Sequence, residues 1–288
     1  MAYFRNTIIF VGLVFFFGIT NLSAENNSSK PKRIVSINLC TDQLLMALAE
    51  TEKILSVSHL ARDPSISSFS ERAKKLHINY GTAEEIYRLK PDLILAGEYS
   101  KKYVVGVIRE LGLNIVTVEV ANSLETMRSN LLKVADILGE EAKAEILISK
   151  IDKLFLLKNT YHEKPVALVW RTRGLIDGPG TLVHELLQAH GFRNLAEKLG
   201  RGALGNINLE QIIMARPELV IIPEPKHYYP SLSQSVFKHP TFKSLDRVNK
   251  PWLKIIRFPE WGLICGGPQV LTAYELLRST RMDILKNK

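Results

Sequence analysis

The sequence predicts an α/β fold in which two Rossmann-like lobes are joined by one long helix and enclose a cleft. In each half of the chain, short apolar runs alternate with segments of helical periodicity, which is typical of βαβ units and mostly parallel sheets. Residues 123–160 lie between the halves and show no strand pattern. A similar phrase occurs in both halves, as AEEIYRLKPDLILAG at 83–97 and as NLEQIIMARPELVIIPE at 208–224.

The first half reads as four strands separated by helices. The predicted strands are 33–38, 54–58, 92–96 and 114–120, and the predicted helices are 41–50, 83–90 and 103–112. Thr41 or Asp42 is the expected N-cap of the first helix, because either side chain can accept from a free backbone N–H. Pro91 ends the second helix, since proline disfavours helical geometry in the residue before it.

The middle of the chain reads as two successive helices that link the lobes. Residues 123–139 have a Ser123 cap and a 3.6-residue apolar pattern that ends or kinks at Gly139. Residues 140–159 continue as a helix of about 20 residues, or roughly 30 Å. Because such a helix bends little, the lobes should move less than lobes joined by flexible strands.

The second half repeats the alternation. Its predicted strands are 165–170, 218–222 and 252–258, and its predicted helices are 181–191, 209–216 and 268–288. Aligning Pro91 with Pro217 pairs Glu84 with Glu210 and Asp92 with Glu218. We therefore expect an N-terminal lobe at 25–138, a linking helix at 139–163 and a C-terminal lobe at 164–288.

Residues 1–24 have the build of a secretory signal peptide. Arg5 precedes an apolar run from Ile8 to Ile19, and small or polar residues lead to an expected cut after Ala24. An uncleaved anchor is the alternative, but these twelve residues are short for crossing a bilayer. The segment predicts export to the periplasm.

The composition is that of a globular protein, with 46% hydrophobic and 23% charged residues. Removing Arg5 with the leader leaves 37 cations against 29 anions, a net charge of +8 that is spread along the chain. No basic stripe is interleaved with aromatic residues, so a nucleic-acid partner is not expected.

The opening PKRIVSIN, the two repeated phrases and the long middle helix resemble the class III periplasmic binding proteins. These are the helical-backbone receptors of ABC importers for iron–siderophore complexes, haem and vitamin B12. The resemblance covers nearly all of residues 31–288. It implies a receptor, expected to be monomeric, that passes a small metal chelate to an inner-membrane permease dimer. A ferric-siderophore-like complex is the first expectation, with vitamin B12 and then haem as alternatives.

The resemblance also implies how the permease is contacted. In the vitamin B12 receptor of this family, a glutamate opens the equivalent helix of each lobe and docks on permease arginines. Glu84 lies seven residues before Pro91, and Glu210 lies seven before Pro217. Both are therefore expected to dock, although simple helix capping would also place carboxylates there.

Ligand-binding side chains are expected in the loops that follow strands, because open α/β sheets bind ligands at those ends. Arginines offer planar donor forks to carboxylates and catecholates, and aromatic rings suit flat ligands. Haem is not supported by Tyr80, since haem-binding members place their tyrosine further upstream of the docking glutamate. The candidates are Arg62, Tyr80, Arg171, Arg173, Tyr228, Tyr229 and Trp261.

Two cysteines also fall near the expected cleft. Cys40 follows the first strand, and Cys265 lies in the last loop of the second lobe. They can bridge the cleft, remain free or touch the ligand, and a bridge needs Cα atoms within about 7 Å.

Rival functions have weaker support in the sequence. There is no GxSxG, Walker or dinucleotide glycine motif, so an enzyme is not expected. The seven histidines form no tight ligand pair, so neither a resident metal nor bare-metal capture is expected. No cofactor is expected either.

Overall fold

The computed structural model describes residues 30–155, 162–224, 237, 239–247 and 252–286. The predicted leader at 1–24 lies outside them. Among these described residues, no helix is both long and apolar enough to cross a membrane.

The first lobe is built on a five-stranded parallel sheet. Its strands are β1 (Ile34–Ser36), β2 (Ile54–Ser58), β3 (Ile78–Asn79), β4 (Leu93–Gly97) and β5 (Ile115–Val118). They lie in the order β3-β2-β1-β4-β5, with β1 at the centre. The helices between them are α1 (Leu39–Leu48), α2 (Ser70–Ala73), α3 (Ala83–Leu89) and α4 (Lys102–Glu110).

The predicted cap of α1 was wrong. The helix begins at Leu39, and the side chain of Asn38 accepts from the backbone N–H of Cys40 at 2.9 Å. Thr41 and Asp42 already lie inside the helix and are buried. They are drawn inward because their side chains bond to Ser36 and Ser58 at the ends of β1 and β2.

Two helices connect the lobes. Helix α5 (Leu124–Leu138) is capped by Ser123 and ends at Gly139, whose φ of 71° confirms the predicted stop. Helix α6 (Glu141–Phe155) then runs toward the second lobe. It folds back along α5, because Arg128 near the start of α5 pairs with Asp152 near the end of α6, with Nε 2.7 Å from Oδ1.

The second lobe has a smaller parallel sheet and an added antiparallel pair. Its strands are β6 (Val166–Val169), β7 (Leu175–Asp177), β8 (Arg193–Asn194), β9 (Leu204–Asn206), β10 (Leu219–Pro223) and β11 (Lys254–Phe258). The parallel order is β11-β10-β6-β8, while β7 and β9 pair antiparallel. The helices are α7 (Leu182–Ala189), α8 (Leu195–Lys198), α9 (Leu209–Ala215), α10 (Pro240–Arg247), α11 (Trp261–Ile264) and α12 (Val270–Lys286).

The repeated phrase folds alike in both lobes. Helices α3 and α9 each have seven residues and end at a cation with left-handed φ, 49° at Lys90 and 46° at Arg216. Each cation directly precedes a proline, and the next buried strand starts two residues after that proline.

The carboxylate after each proline has the same role in its lobe. Asp92 accepts from the backbone N–H of Arg33 at 3.0 Å, and Glu218 accepts from that of Val166 at 2.6 Å. In both cases the acceptor holds the start of the lobe's first strand. The sequence repeat therefore corresponds to a structural repeat, and the two-lobed fold class is confirmed.

One hydrophobic core crosses from lobe to lobe. Leu45 of α1, Leu131 of α5, Leu186 of α7 and Val270 of α12 belong to the same buried cluster. Such continuous burial opposes wide separation of the lobes, because apolar area would return to water at roughly 25 cal/mol per Å².

Candidate functional site

A disulfide joins the two lobes where the carboxyl ends of their sheets meet. Cys40, four residues after β1 ends, is bonded to Cys265, which caps α11 after β11. Their Cα atoms are 5.3 Å apart, although 225 residues separate them in sequence. Of the three states that the sequence left open, the structure shows the bridge.

Two further contacts close the lobes together beside the disulfide. A Cβ on Gly266 would lie 2.4 Å from Cβ of Ala121, so only glycine fits against the segment that follows β5. Glu185 of α7 accepts from the backbone N–H of Leu124 at 2.7 Å and so caps α5 from the other lobe. The disulfide and these contacts hold the lobes together at the strand ends where the ligand is expected, and this contact region is hereafter the cleft floor.

The first-lobe edge of the cleft carries exposed rings. The imidazole of His59 follows β2 and stacks on the phenol of Tyr80, which follows β3, with ring centroids 5.0 Å apart. Tyr80 is 67% exposed, and Tyr99 after β4 is 83% exposed. A flat or partly apolar ligand could therefore stack on these strand ends.

Arg62 occupies the same edge but is engaged internally. Its guanidinium donates to the carbonyl oxygens of Ala73 at 3.2 Å and Leu76 at 2.8 Å. These bonds satisfy acceptors at the end of α2. Ligand binding by Arg62 stays a prediction, and the structure gives this residue a role in fixing the lobe.

Arg171 follows β6 and is oriented by a buried carboxylate. Its Nε lies 2.6 Å from Oδ2 of Asp177, and its Nη2 donates to the carbonyl of Leu263 in α11 at 3.0 Å. The Asp177 side chain is 6% exposed, and burial raises the pKa of its carboxyl while the adjacent guanidinium opposes that rise. Sequence reasoning found Arg171 but missed Asp177.

The other second-lobe candidates fall into three groups. Arg173 is exposed, with a left-handed φ of 62°. Trp261 opens α11 and contacts Phe258, with ring centroids 5.9 Å apart. Tyr228 and Tyr229 lie outside the described residues, so their roles stay predictions. Trp170, directly after β6, is fully buried and belongs to the core.

A buried polar network lies directly beneath the cleft floor. The carboxyl of Asp42 accepts from Ser58, at 3.1 Å from the backbone N–H and 2.5 Å from the hydroxyl. Burial raises the pKa of Asp42 from its usual 3.8 to about 7, although the hydrogen bonds from serine partly oppose this. The sequence placed Asp42 only as a possible cap and gave no signal of this environment.

Both predicted docking carboxylates lie in the first turn of their helices and are exposed. Glu84 of α3 pairs with Arg88 one turn later at 2.6 Å, with both side chains about three-quarters exposed. Glu210 occupies the matching position of α9. They lie in different lobes on equivalent short helices, and their docking role stays a prediction.

The chemistry of the described cleft suits an organic ligand better than a bare ion. Within the described ranges, no group of three or more His, Cys, Asp or Glu side chains is placed to hold a metal ion. Rings, an oriented guanidinium and a closed floor can instead stack on and hydrogen-bond to a small molecule.

A family model of the periplasmic binding proteins matches residues 34–250. Among curated proteins, the chain is 27% identical over 125 residues to the uncharacterized ABC transporter substrate-binding lipoprotein YvrC of Bacillus subtilis, covering 42% of this chain and 39% of that protein. It is 20% identical over 215 residues to a cobalamin-binding protein of Halobacterium salinarum, covering 71% and 58%. The chain thus matches less than two thirds of the length of either relative.

The fold also matches solved structures. The periplasmic heme-binding protein RhuT from Roseiflexus sp. RS-1 in its apo form superposes with a TM-score of 0.67 at 21% identity, covering 89% of this chain and 98% of that one. The periplasmic vitamin B12-binding protein BtuF of Vibrio cholerae gives a TM-score of 0.64 at 16% identity, covering 89% and 99%. At these identities the likeness establishes the fold.

Proposed function

Since the chain belongs to the periplasmic binding protein family, we propose that it is the substrate-binding component of an ABC importer and captures a metal chelate between its lobes. The observation that carries this proposal is the cleft floor, where Cys40 and Cys265 hold the carboxyl ends of both parallel sheets against each other. Open α/β sheets bind ligands at those ends. A ligand placed there touches both lobes at once.

The first candidate ligand is an iron chelate with anionic groups. Arg171 and Arg173 directly follow β6, and the full chain carries a net charge of +9. Guanidinium groups recognise carboxylates and catecholates through paired donors. This supports a ferric-siderophore-like substrate.

A corrinoid is the second candidate, supported by the stacked rings of His59 and Tyr80 and by Trp261. A broad planar ring system gains from stacking on such surfaces. The curated relative described as cobalamin-binding aligns with 71% of this chain and points the same way.

A fluorescence titration tests the proposal. We expect saturable quenching by at least one of three probe classes, namely ferric siderophores, cyanocobalamin and haemin, with no chemical change to the probe. Trp261→Phe is the matched control and should remove most of the signal, because Trp170 is buried in the core and Trp252 packs against the second-lobe core before β11 begins, at the end of the sheet away from the cleft. The absence of binding by every probe, or turnover of a bound one, would contradict a receptor function.

The importer assignment implies a periplasmic location, with residues 1–24 as a cleaved leader, and a permease dimer as partner. Its expected activity is binding and delivery, without catalysis. Exposed carboxylates on matched helices of the two lobes fit a partner that offers a cation to each lobe.

Replacing Glu84 and Glu210 with alanine should lower uptake on the order of 1000-fold, because losing one partner of each of two docked ion pairs costs about 2 kcal/mol per pair and about 1.4 kcal/mol corresponds to a tenfold change. Ligand affinity should stay unchanged, since both side chains are exposed on helices and neither belongs to the candidate ligand-binding residues. Transport into proteoliposomes that contain the permease and titration of the purified variant measure the two effects.

The matched control for docking is Glu71→Ala with Glu197→Ala, which removes one exposed carboxylate from each lobe at other sites. Equal loss of uptake in both double variants would show that the loss comes from the change in net charge and not from docking by Glu84 and Glu210. Loss of ligand binding in the Glu84, Glu210 double variant would contradict the claim that these residues act in permease docking and not in ligand binding.

A further inference from the structure

A buried ion pair at the second-lobe edge of the cleft is built to present a guanidinium. Asp177 ends β7, is nearly inaccessible, and holds Nε of Arg171 at 2.6 Å. Asp177 is itself fixed, because it pairs with Leu204 of β9 and its carbonyl accepts from Nδ2 of Asn194 at 2.8 Å. The carboxylate therefore cannot follow the arginine into solvent.

The remaining donors of Arg171 are directed away from this anchor. A guanidinium has five N–H groups in a rigid plane. In the described part of the chain, one bonds to Asp177 and one to the carbonyl of Leu263. The side chain keeps 24% of its surface exposed. Nη1 and the second N–H of Nη2 have no partner among the described residues, so they can donate to a ligand.

The second anchor connects this arginine to the cleft floor. Leu263 belongs to α11, which begins at Trp261 and is capped by Cys265 of the disulfide. The guanidinium is thus pinned between β7 and the last cleft loop. Pinning at two sites lowers the entropy that the side chain would lose on meeting a ligand.

We propose that Arg171 binds an anionic group at the edge of the ligand and that Asp177 is the positioning residue that aims it. This inference rests on the proposed receptor function and adds a rule of selectivity. A planar donor edge suits a carboxylate or a phosphate, so ligands with such a group at their periphery are preferred over neutral analogues. Asp177 acts only through the arginine and does not touch the ligand.

Two matched probe pairs test the rule. N-succinyl and N-acetyl ferrioxamine share one iron centre and differ in a carboxylate, and cyanocobalamin and its monocarboxylic acid share one corrin. Wild-type protein should bind the acid of a pair about tenfold more tightly, as a charge-assisted hydrogen bond implies. Arg171→Gln and Asp177→Asn should each reduce that ratio to near one.

Arg193→Gln is the matched control, because it removes the same charge from an exposed side chain of the second lobe that pairs with Val166 at the start of β6, away from the strand ends where the ligand is expected. It should keep most of the preference. Arg171→Lys retains the charge without the fork and should lose most of the preference, which keeps the test decisive if Asp177→Asn folds poorly.

Several outcomes overturn the inference. Equal binding of acid and neutral probes by wild-type protein would do so, as would an equal loss of preference in Arg193→Gln and Arg171→Gln. Retained preference in Asp177→Asn would remove the positioning role. If none of the four probes binds, the proposed receptor function is contradicted as well. If the probes bind but the acid is not preferred, only the inference about Arg171 and Asp177 fails.

Discussion

Replacing Cys40 and Cys265 with serine should lower the free energy of unfolding by about 5 kcal/mol. The bridge closes a loop across 225 residues, and in the chain-entropy treatment a loop of this length restricts the unfolded ensemble by about that amount. Chemical denaturation of the oxidised wild-type protein and of the double variant measures the difference.

The disulfide prediction has an internal control. Dithiothreitol should destabilise the wild-type protein to the level of the double-serine variant and leave that variant unchanged, because the chain has only these two cysteines. A variant within about 1 kcal/mol of the oxidised protein would show that the interlobe core alone holds the lobes, since native disulfides of this kind usually contribute 2–5 kcal/mol.

The contribution of Asp42 to the stability of the protein should fall by about 4 kcal/mol as the pH rises from 4 to 7. Burial raises the pKa of Asp42 from 3.8 to about 7, so in this window the folded chain holds a proton that the unfolded chain has released. Stability is therefore fully present below pH 4 and is lost as the pH rises through 7. Each tenfold change in proton affinity corresponds to about 1.36 kcal/mol.

Asp42→Asn isolates this effect. The amide has nearly the same shape and no proton to lose, so the stability of the wild-type protein minus that of Asp42→Asn should fall by about 4 kcal/mol between pH 4 and 7. The difference is the quantity to compare, because burial lowers the pKa of His190 from 6.5 to about 4 and so raises the stability of both proteins over the same window. Asp136→Asn, at an exposed position on α5, serves as the control and should keep the wild-type profile. Parallel pH profiles for wild-type and Asp42→Asn protein would show that the buried carboxyl is ionised throughout.

The two lobes could be predicted because their signals are local. A proline seven residues after a glutamate ends a helix in each lobe, and the acid that follows holds the start of a strand in both. Gly139 likewise stopped α5 as expected, because a left-handed cap needs only the neighbouring backbone.

The site was predicted less completely, because its contacts depend on distant or very short elements. The stacking of His59 on Tyr80 requires β2 and β3 to be neighbours, and β3 has only two residues. Asp177 lies on a three-residue strand of an antiparallel pair, which is too short to give an alternating pattern. The cap of α1 was misplaced since Asn38, Thr41 and Asp42 all offer oxygens, and tertiary burial chose among them.

Amide hydrogen exchange with and without the tightest-binding probe of the titration tests the central claim most directly. Ligand should slow exchange in both lobes, at the segments that follow β1 to β3 and at residues 171–177 and 259–267. Two of these segments are joined by the disulfide between Cys40 and Cys265. Protection confined to one lobe, or found only on α3 and α9, would contradict binding between the lobes.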